Sequence, residues 1–188
     1  GEKLEMGSSV KVYVSKLEIG PKGPFIMLSR SHYGFVKRLL EIEIPELSDG
    51  TIMLYSVARD AGNRSKIAVY TEYTNVDPIG AVIGEKGRRI ANVLKELSGE
   101  KIDVILYDKD PVKFIANALS PAKDVKVSIK DETKKEALAL VNDKNLSLAI
   151  GKKGQNVKLA SRLTHYKIEV KPEEQENTET TEETSVEE

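Results

Sequence analysis

Apolar positions change their period several times along this chain, and each change marks an element. From Val10 to Val14 apolar and polar residues alternate, the period of a half-buried strand, so residues 10–17 are read as a strand and Phe25-Ile26-Met27-Leu28 as a second. Two strands with no third neighbour form only a marginal hairpin in water. They must pack on the next part of the chain or belong to a larger β-domain. After His32 the spacing becomes helical, with Phe35, Val36, Leu39, Leu40 and Ile42 on one face, stopped by Pro45 and by Ser48-Asp49-Gly50. Thr51–Arg59 and Lys66–Thr71 read as strands joined by a glycine-containing hairpin loop, Asp60-Ala61-Gly62-Asn63-Arg64. Asp77-Pro78 has the N-cap and first-position residues of a helix that reaches Ile83. Ile90, Val93, Leu94 and Leu97 then line a further helix that ends at Ser98-Gly99, and Lys101–Tyr107 alternates as a closing strand.

The resulting order, α-β-β-α-α-β, then repeats. Asp110-Pro111 opens a helix through Leu119, broken at Ser120-Pro121. Val125, Val127 and Ile129 alternate, Asp131–Lys134 turns, and Ala137–Val141 returns as an apolar strand. Asn145–Ile150 is a short helix, Val157, Ala160 and Leu163 lie on another, and Lys167–Val170 closes the unit. Two copies of about 65 residues form an internal repeat, with almost no linker between Tyr107 and Asp110. The copies are therefore expected to hold a fixed relation.

At the same place in each copy stands the same nine-residue pattern. Val82-Ile83-Gly84-Glu85-Lys86-Gly87-Arg88-Arg89-Ile90 is matched 67 residues later by Ala149-Ile150-Gly151-Lys152-Lys153-Gly154-Gln155-Asn156-Val157. A pair of glycines three apart means little alone, and Gly20-Pro21-Lys22-Gly23 is a decoy that reads as a Pro-containing turn. Between two helices the pattern acquires a use. Residues without Cβ let the backbone approach another chain closely, and the second helix offers free N–H groups and a positive dipole end that favour an anion. A phosphate fits there. Lys86 and Arg88, and Lys152 and Lys153, add charge beside it without reading sequence. Ile83 and Ile90, like Ile150 and Val157, would form an apolar floor for unstacked bases, while a sheet edge offers hydrogen bonds to base edges. The competing roles are tight helix packing for the glycines, core packing for the Ile and Val positions, and plain solvation for the charges.

Charge is segregated. Residues 1–171 carry 29 basic against 22 acidic side chains, while 172–188 hold eight Glu and no Lys or Arg, giving a basic body with a net charge of +7. The Glu- and Thr-rich end cannot bury enough apolar area to offset its ordering entropy; it is read as a disordered acidic tail, able to compete with nucleic acid for the basic surface. With no cysteine, disulfides, thiolate metal sites and thiol nucleophiles are excluded. No apolar run approaches a membrane span, and nothing in the opening residues Gly1–Glu5 suggests secretion. His32 and His165 fall in different units, no phosphate-loop, dinucleotide, zinc-protease or nucleophile-elbow motif occurs, and carboxylates are scattered. Neither a catalytic residue nor a metal ligand nor a cofactor is assigned, and a cytoplasmic monomer is expected.

Ile-Gly-x-Lys-Gly-x-x-Ile within α-β-β-α-α-β order resembles the prokaryotic, type II KH domain, whose Gly loop clamps the backbone of about four nucleotides. Ala58–Val69, Asn75–Ala81, Asn117–Lys123 and Leu146–Asn156 further resemble the NusA family of bacterial transcription elongation and termination factors, over nearly all of Val10–Lys171. The fold class expected is α+β, two tandem type II KH domains. The resemblance implies that residues 1–33 are the C-terminal strands of an OB-fold RNA-binding domain whose first strands are missing, so that the chain reads as a fragment. Residues 34–108 and 109–171 would be the two KH domains, and 172–188 the tail. It also implies single-stranded RNA as ligand, bound at Ile83, Gly84, Glu85, Lys86, Gly87, Arg88 and Ile90, and at Ile150, Gly151, Lys152, Lys153, Gly154, Gln155, Asn156 and Val157. RNA polymerase would be the partner of full-length members, anchored by a domain this sequence does not contain. Tyr166 stands where many relatives carry Trp, which is expected to alter packing alone. The alternatives are a KH scaffold for protein–protein contacts with one RNA-competent copy, or another ribosomal or RNA-processing KH protein; single KH copies in ribosomal proteins and reversed KH–OB order in the exoribonuclease arrangement disfavour the latter.

Overall fold

The computed structural model describes residues 2–173. Its first element is a hairpin of β1 (Tyr13–Gly20) and β2 (Gly23–Ser29), closed where Gly20 faces Gly23. The strand starts later than the alternation at Val10 suggested. Its register shifts between Val14 and Lys16, and a bulge resets which face each side chain takes, which is why the alternation stops at Val14. Leu17, Ile19, Phe25 and Leu28 are exposed on this two-stranded sheet.

Two units of the same order, apart from one extra short helix in the first, come after the hairpin. In the first, α1 (Tyr33–Glu43) is capped by His32, whose Nδ1 accepts from the Gly34 N–H, and a short turn, α2 (Pro45–Ser48), leads to β3 (Met53–Asp60) and β4 (Arg64–Tyr70). Then come α3 (Pro78–Ile83), a 3-10 turn (Glu85–Gly87), α4 (Arg88–Glu96) and β5 (Lys101–Leu106). β4 lies between an antiparallel β3 and a parallel β5. In the second, α5 (Pro111–Ala118), β6 (Lys126–Asp131), β7 (Glu136–Val141), α6 (Asp143–Ile150), a 3-10 turn (Lys152–Gly154), α7 (Gln155–Thr164) and β8 (Lys167–Pro172) repeat that topology, with β7 central. α6 begins two residues before Asn145 because Asn142 caps it, its side chain accepting from the Asn145 N–H. β8 extends to Pro172, and Glu173 N–H donates to Val141 O, so Pro172 and Glu173, read as the start of the tail, are part of the sheet edge. The rest of the acidic segment lies outside the described residues.

Both faces of the first sheet are covered. On one, Ile67, Val69, Val82, Val93 and Leu97 close a core with Val36, Leu39 and Leu40 of α1. On the other, Ala58, Ala68 and Ile105 pack against Phe114, Ile115 and Leu119 of the second unit, and against Leu159 and Leu163 of α7. α5 and α7 also cover Ala137, Ala139 and Ile168 of the second sheet. They form a middle layer between the two sheets, which explains why β4 is buried without a break from Ser65 to Val69. The outer face of the second sheet carries exposed Lys126, Ser128, Lys130 and Lys167.

Polar contacts fix the same junction. Ser56 Oγ donates to Leu163 O at 2.8 Å, and Gln155 Nε2 to Asp60 Oδ2 at 2.7 Å. The fully buried Lys66 donates to Ser120 O at 2.7 Å and to Asp103 at 3.2 Å, while Arg64 grips the same carboxylate at 2.8 and 2.9 Å. Burial pushes the Lys66 ammonium below the ordinary lysine value, against the pull of Asp103. For Asp103 burial acts upward, and the Arg64 hydrogen bond with the Lys66 and Arg64 charges outweighs it, leaving the carboxyl below its usual range.

Candidate nucleic-acid interface

Each repeat brings a short helix, a glycine loop and a longer helix to one corner of its sheet. The two loops agree torsion by torsion. Gly84 and Gly151 have φ of 73° and 76° with ψ of 172° and 169°. Lys86 and Lys153 are left-handed, at φ 52°, ψ 27° and φ 54°, ψ 29°. Gly87 and Gly154 come next at φ 74° and 72°. Left-handed backbone is strained for lysine, and both copies accept that strain at one of the loop's lysines.

The first glycine of each loop is required twice over. Besides its torsions, a Cβ on Gly84 would stand 2.6 Å from Arg89 Cγ, and one on Gly151 would stand 2.7 Å from the Asn156 backbone nitrogen. Nothing lies within 4 Å of a Cβ at Gly87 or Gly154. Those glycines serve torsion and leave the outer side of the loop open. Because each of them is the N-cap of the next helix, neither α4 nor α7 receives a side-chain cap. The first-turn N–H groups are left for water or an anion. Glu85, Lys86, Arg88, Lys152 and Lys153 are exposed, and Lys86, Arg88, Lys152 and Lys153 join no ion pair among the described residues, whereas half-buried Arg89 pairs with Glu46.

The residues after the second glycine are placed differently. Asn156 is buried, and its Nδ2 reaches Leu119 O, Leu148 O and Ala149 O at 3.0–3.1 Å. It ties the ends of α5 and α6 to the start of α7, away from the loop's outer surface. Arg89, at the equivalent position, does the same work in the first unit through Ala81 O and Glu46. Gln155 turns toward Asp60 of the other unit. Ile83 is exposed and Ile150 half-buried, whereas Ile90 and Val157 are half-buried against the two cores.

Along β5, the edge strand of the first sheet, runs a groove that the residue pattern did not single out. Ile79 of α3 and Val104–Leu106 of β5 form one part, and Ala116, Asn117, Ser120 and Ala122–Val125 of the second unit continue it. β5 is an edge strand, as is β8 in the second sheet, so each leaves one row of backbone groups unpaired by its own sheet. Only the closing strands' apolar alternation hinted at this groove, because its second wall comes from the neighbouring domain. Among the described residues no His, Cys, Asp and Glu cluster could hold a metal, and no helix is long and apolar enough to cross a membrane.

Comparison with known proteins agrees with this architecture. The family model described as NusA-like first KH domain matches residues 30–107, and that of the NusA-like second KH domain matches residues 111–178. The chain is 52% identical over 172 residues to the transcription termination/antitermination protein NusA of Bacillus subtilis, covering 92% of this chain and 46% of the relative. The protein of the same name from Halalkalibacterium halodurans is 51% identical over 172 residues, covering 92% and 45%, and that of Mycobacterium tuberculosis 50% identical over 171 residues, covering 91% and 49%. The chain thus spans about half the length of these relatives. Among solved structures, the crystal structure of APE1850 superposes with a TM-score of 0.52 at 24% identity, over 73% of this chain and 96% of that one, which bears on the fold alone.

Proposed function

This chain belongs to the NusA family through its two KH domains, and from that premise we propose that it binds one single-stranded RNA across both Gly loops, as part of a factor governing pausing, termination and antitermination on nascent RNA at RNA polymerase. The observation that carries this reading is the pair of matching loops, each with an uncapped helix start and with cations that join no ion pair among the described residues, held together by a shared core. Phosphates would sit at the open sides of Gly84–Gly87 and Gly151–Gly154, with Lys86, Arg88, Lys152 and Lys153 around them. Bases would lie on Ile83 and Ile150 and, where exposed, on Ile90 and Val157, with the β5 and β8 edges beside them. Asn156 supports the second loop from within, and Gln155 ties the start of α7 to Asp60 of the first domain. We assign the β1–β2 hairpin to the closing strands of an OB-fold, whose exposed apolar residues would be covered by its other strands. The protein would act as a cytoplasmic monomer, without a cofactor and without a catalytic step.

Because the two domains that carry the loops share one core, the second contact is intramolecular and modest affinities multiply. Neutralising three to five phosphates gives a salt slope of about −2 to −3.5 for a single strand. A fluorescent RNA of about a dozen nucleotides, room for two KH sites, tests the assignment against variants with Glu85-Lys86 or Lys152-Lys153 replaced by Asp-Asp. Both folded variants are expected to lose affinity. Unchanged binding in both would overturn the reading, and loss in only one would mean that a single loop works.

A further inference from the structure

A second basic surface lies beyond the loops. Between the two domains, on the side of α7 that faces the β3–β4 turn, opens a trough of about 680 Å³. Its walls carry Arg64 and Lys101 from the first domain and Lys152, Lys153, Lys158 and Arg162 from the second. Gln155, Lys158, Leu159 and Arg162 fall at i, i+3, i+4 and i+7, one face of a helix, and Gln155 marks its direction by donating to Asp60 on the opposite wall.

The first-domain wall is stiff for reasons unrelated to its own surface. Buried Glu100 accepts from Arg59, from Ser65 Oγ and from the Gly62 N–H, pinning the turn, and the Lys101 N–H donates to Asn63 O. The charge balance of the trough is one-sided. Asp60 accepts from Gln155 and Asn63, and Asp103 already neutralises Arg64. Lys101, Lys158 and Arg162 are in no ion pair among the described residues. Cations spread along two walls suit a chain of phosphates better than a single anion, and flexible lysines act there as point charges. Lys152 and Lys153 belong to both the trough and the second Gly loop, so the two surfaces are continuous.

We propose that this interdomain trough binds the sugar-phosphate backbone of the same RNA beyond the nucleotides held by the Gly loops, through Lys101, Lys158 and Arg162. The inference rests on the RNA-binding reading above and extends it. Only the tandem creates the trough, since neither domain alone supplies both walls.

The test compares RNAs of about eight nucleotides, enough for two Gly loops, with RNAs of about fourteen extended at either end, on the full chain. One variant carries Lys101→Ala, Lys158→Ala and Arg162→Ala; a second carries Gln at the same positions, so that loss of side-chain length is separated from loss of charge. The unaltered chain is expected to bind one of the longer RNAs on the order of tenfold more tightly at low salt. Both variants should erase that gain, with the salt slope for the longer RNA shallower by about 2, and leave the short RNA unchanged. The proposal is overturned if the gain survives, if it never appears in the unaltered chain, or if the short RNA is weakened equally. Loss of binding to a Glu-rich peptide with the RNA gain intact would also overturn it, assigning the trough to an acidic polypeptide. Failure of the RNA-binding reading itself looks different: the Asp-Asp loop variants would leave the short RNA bound.

Discussion

Gly84 and Gly151 hold torsions that L side chains rarely adopt, and a neighbour occupies the space their Cβ would need. Gly87 and Gly154 share only the first constraint. Replacement by Ala should therefore cost about 1–2 kcal/mol at Gly87 or Gly154 and more, about 3 kcal/mol, at Gly84 or Gly151. Gly151→Ala should be the worse of that pair, because it meets the Asn156 backbone while Gly84→Ala meets the Arg89 side chain. Urea unfolding of the four variants checks the order, and equal losses at all four positions would mean that torsion alone matters. The two-glycine pattern was legible in the sequence, but its division of labour was not. Nor was the placement of Asn156, since a polar residue next to a phosphate loop looks like a ligand until three carbonyls are found around its buried amide.

At the scale of elements, β4 and β5 meet the end of α5 through Lys66, Asp103 and Arg64. Removing the carboxylate strands a buried ammonium, so Asp103→Asn should destabilise the protein by about 2–3 kcal/mol, below the range for a fully buried pair because Asp103 keeps some exposure. The folded-state pKa of Asp103 is lowered. The stability that its ionisation provides is thus fully present above the ordinary value of 3.8 and is lost as pH falls from there through the lowered value. Thermal unfolding across acidic pH should show the parent and the Asn variant converging in that window. A constant difference would place the effect elsewhere. Helices and strands themselves were largely readable, because Asp77-Pro78 and Asp110-Pro111 mark helix starts by local chemistry. The bulge after Val14 and the cap at Asn142 were not legible, since each depends on pairing or side-chain geometry with no periodic signal.

For the whole molecule, one apolar cluster runs from the first sheet through α5 and α7 to the second sheet. Domains that share a core lose it together, so calorimetry should give a single transition with matching calorimetric and van't Hoff enthalpies. Phe114→Ala, at the centre of the junction, should lower stability by about 3–5 kcal/mol without splitting that transition. Two resolved transitions in the parent chain would show that the domains unfold independently and that the junction does not bind them into one unit.

Periodicity, helix-start residues and the repeated nine-residue pattern determined the element order, the duplication and the location of both Gly loops, because each is written in residues close together in the chain. The near absence of a linker also determined that the copies would be closely held. How they are held was decided only by tertiary structure. Burial of the first sheet on both faces, the Lys66 latch, the groove beside β5 and the basic trough beside α7 all join residues far apart in sequence. No local spacing encodes such pairs, which exist only once α5 and α7 lie between the two sheets.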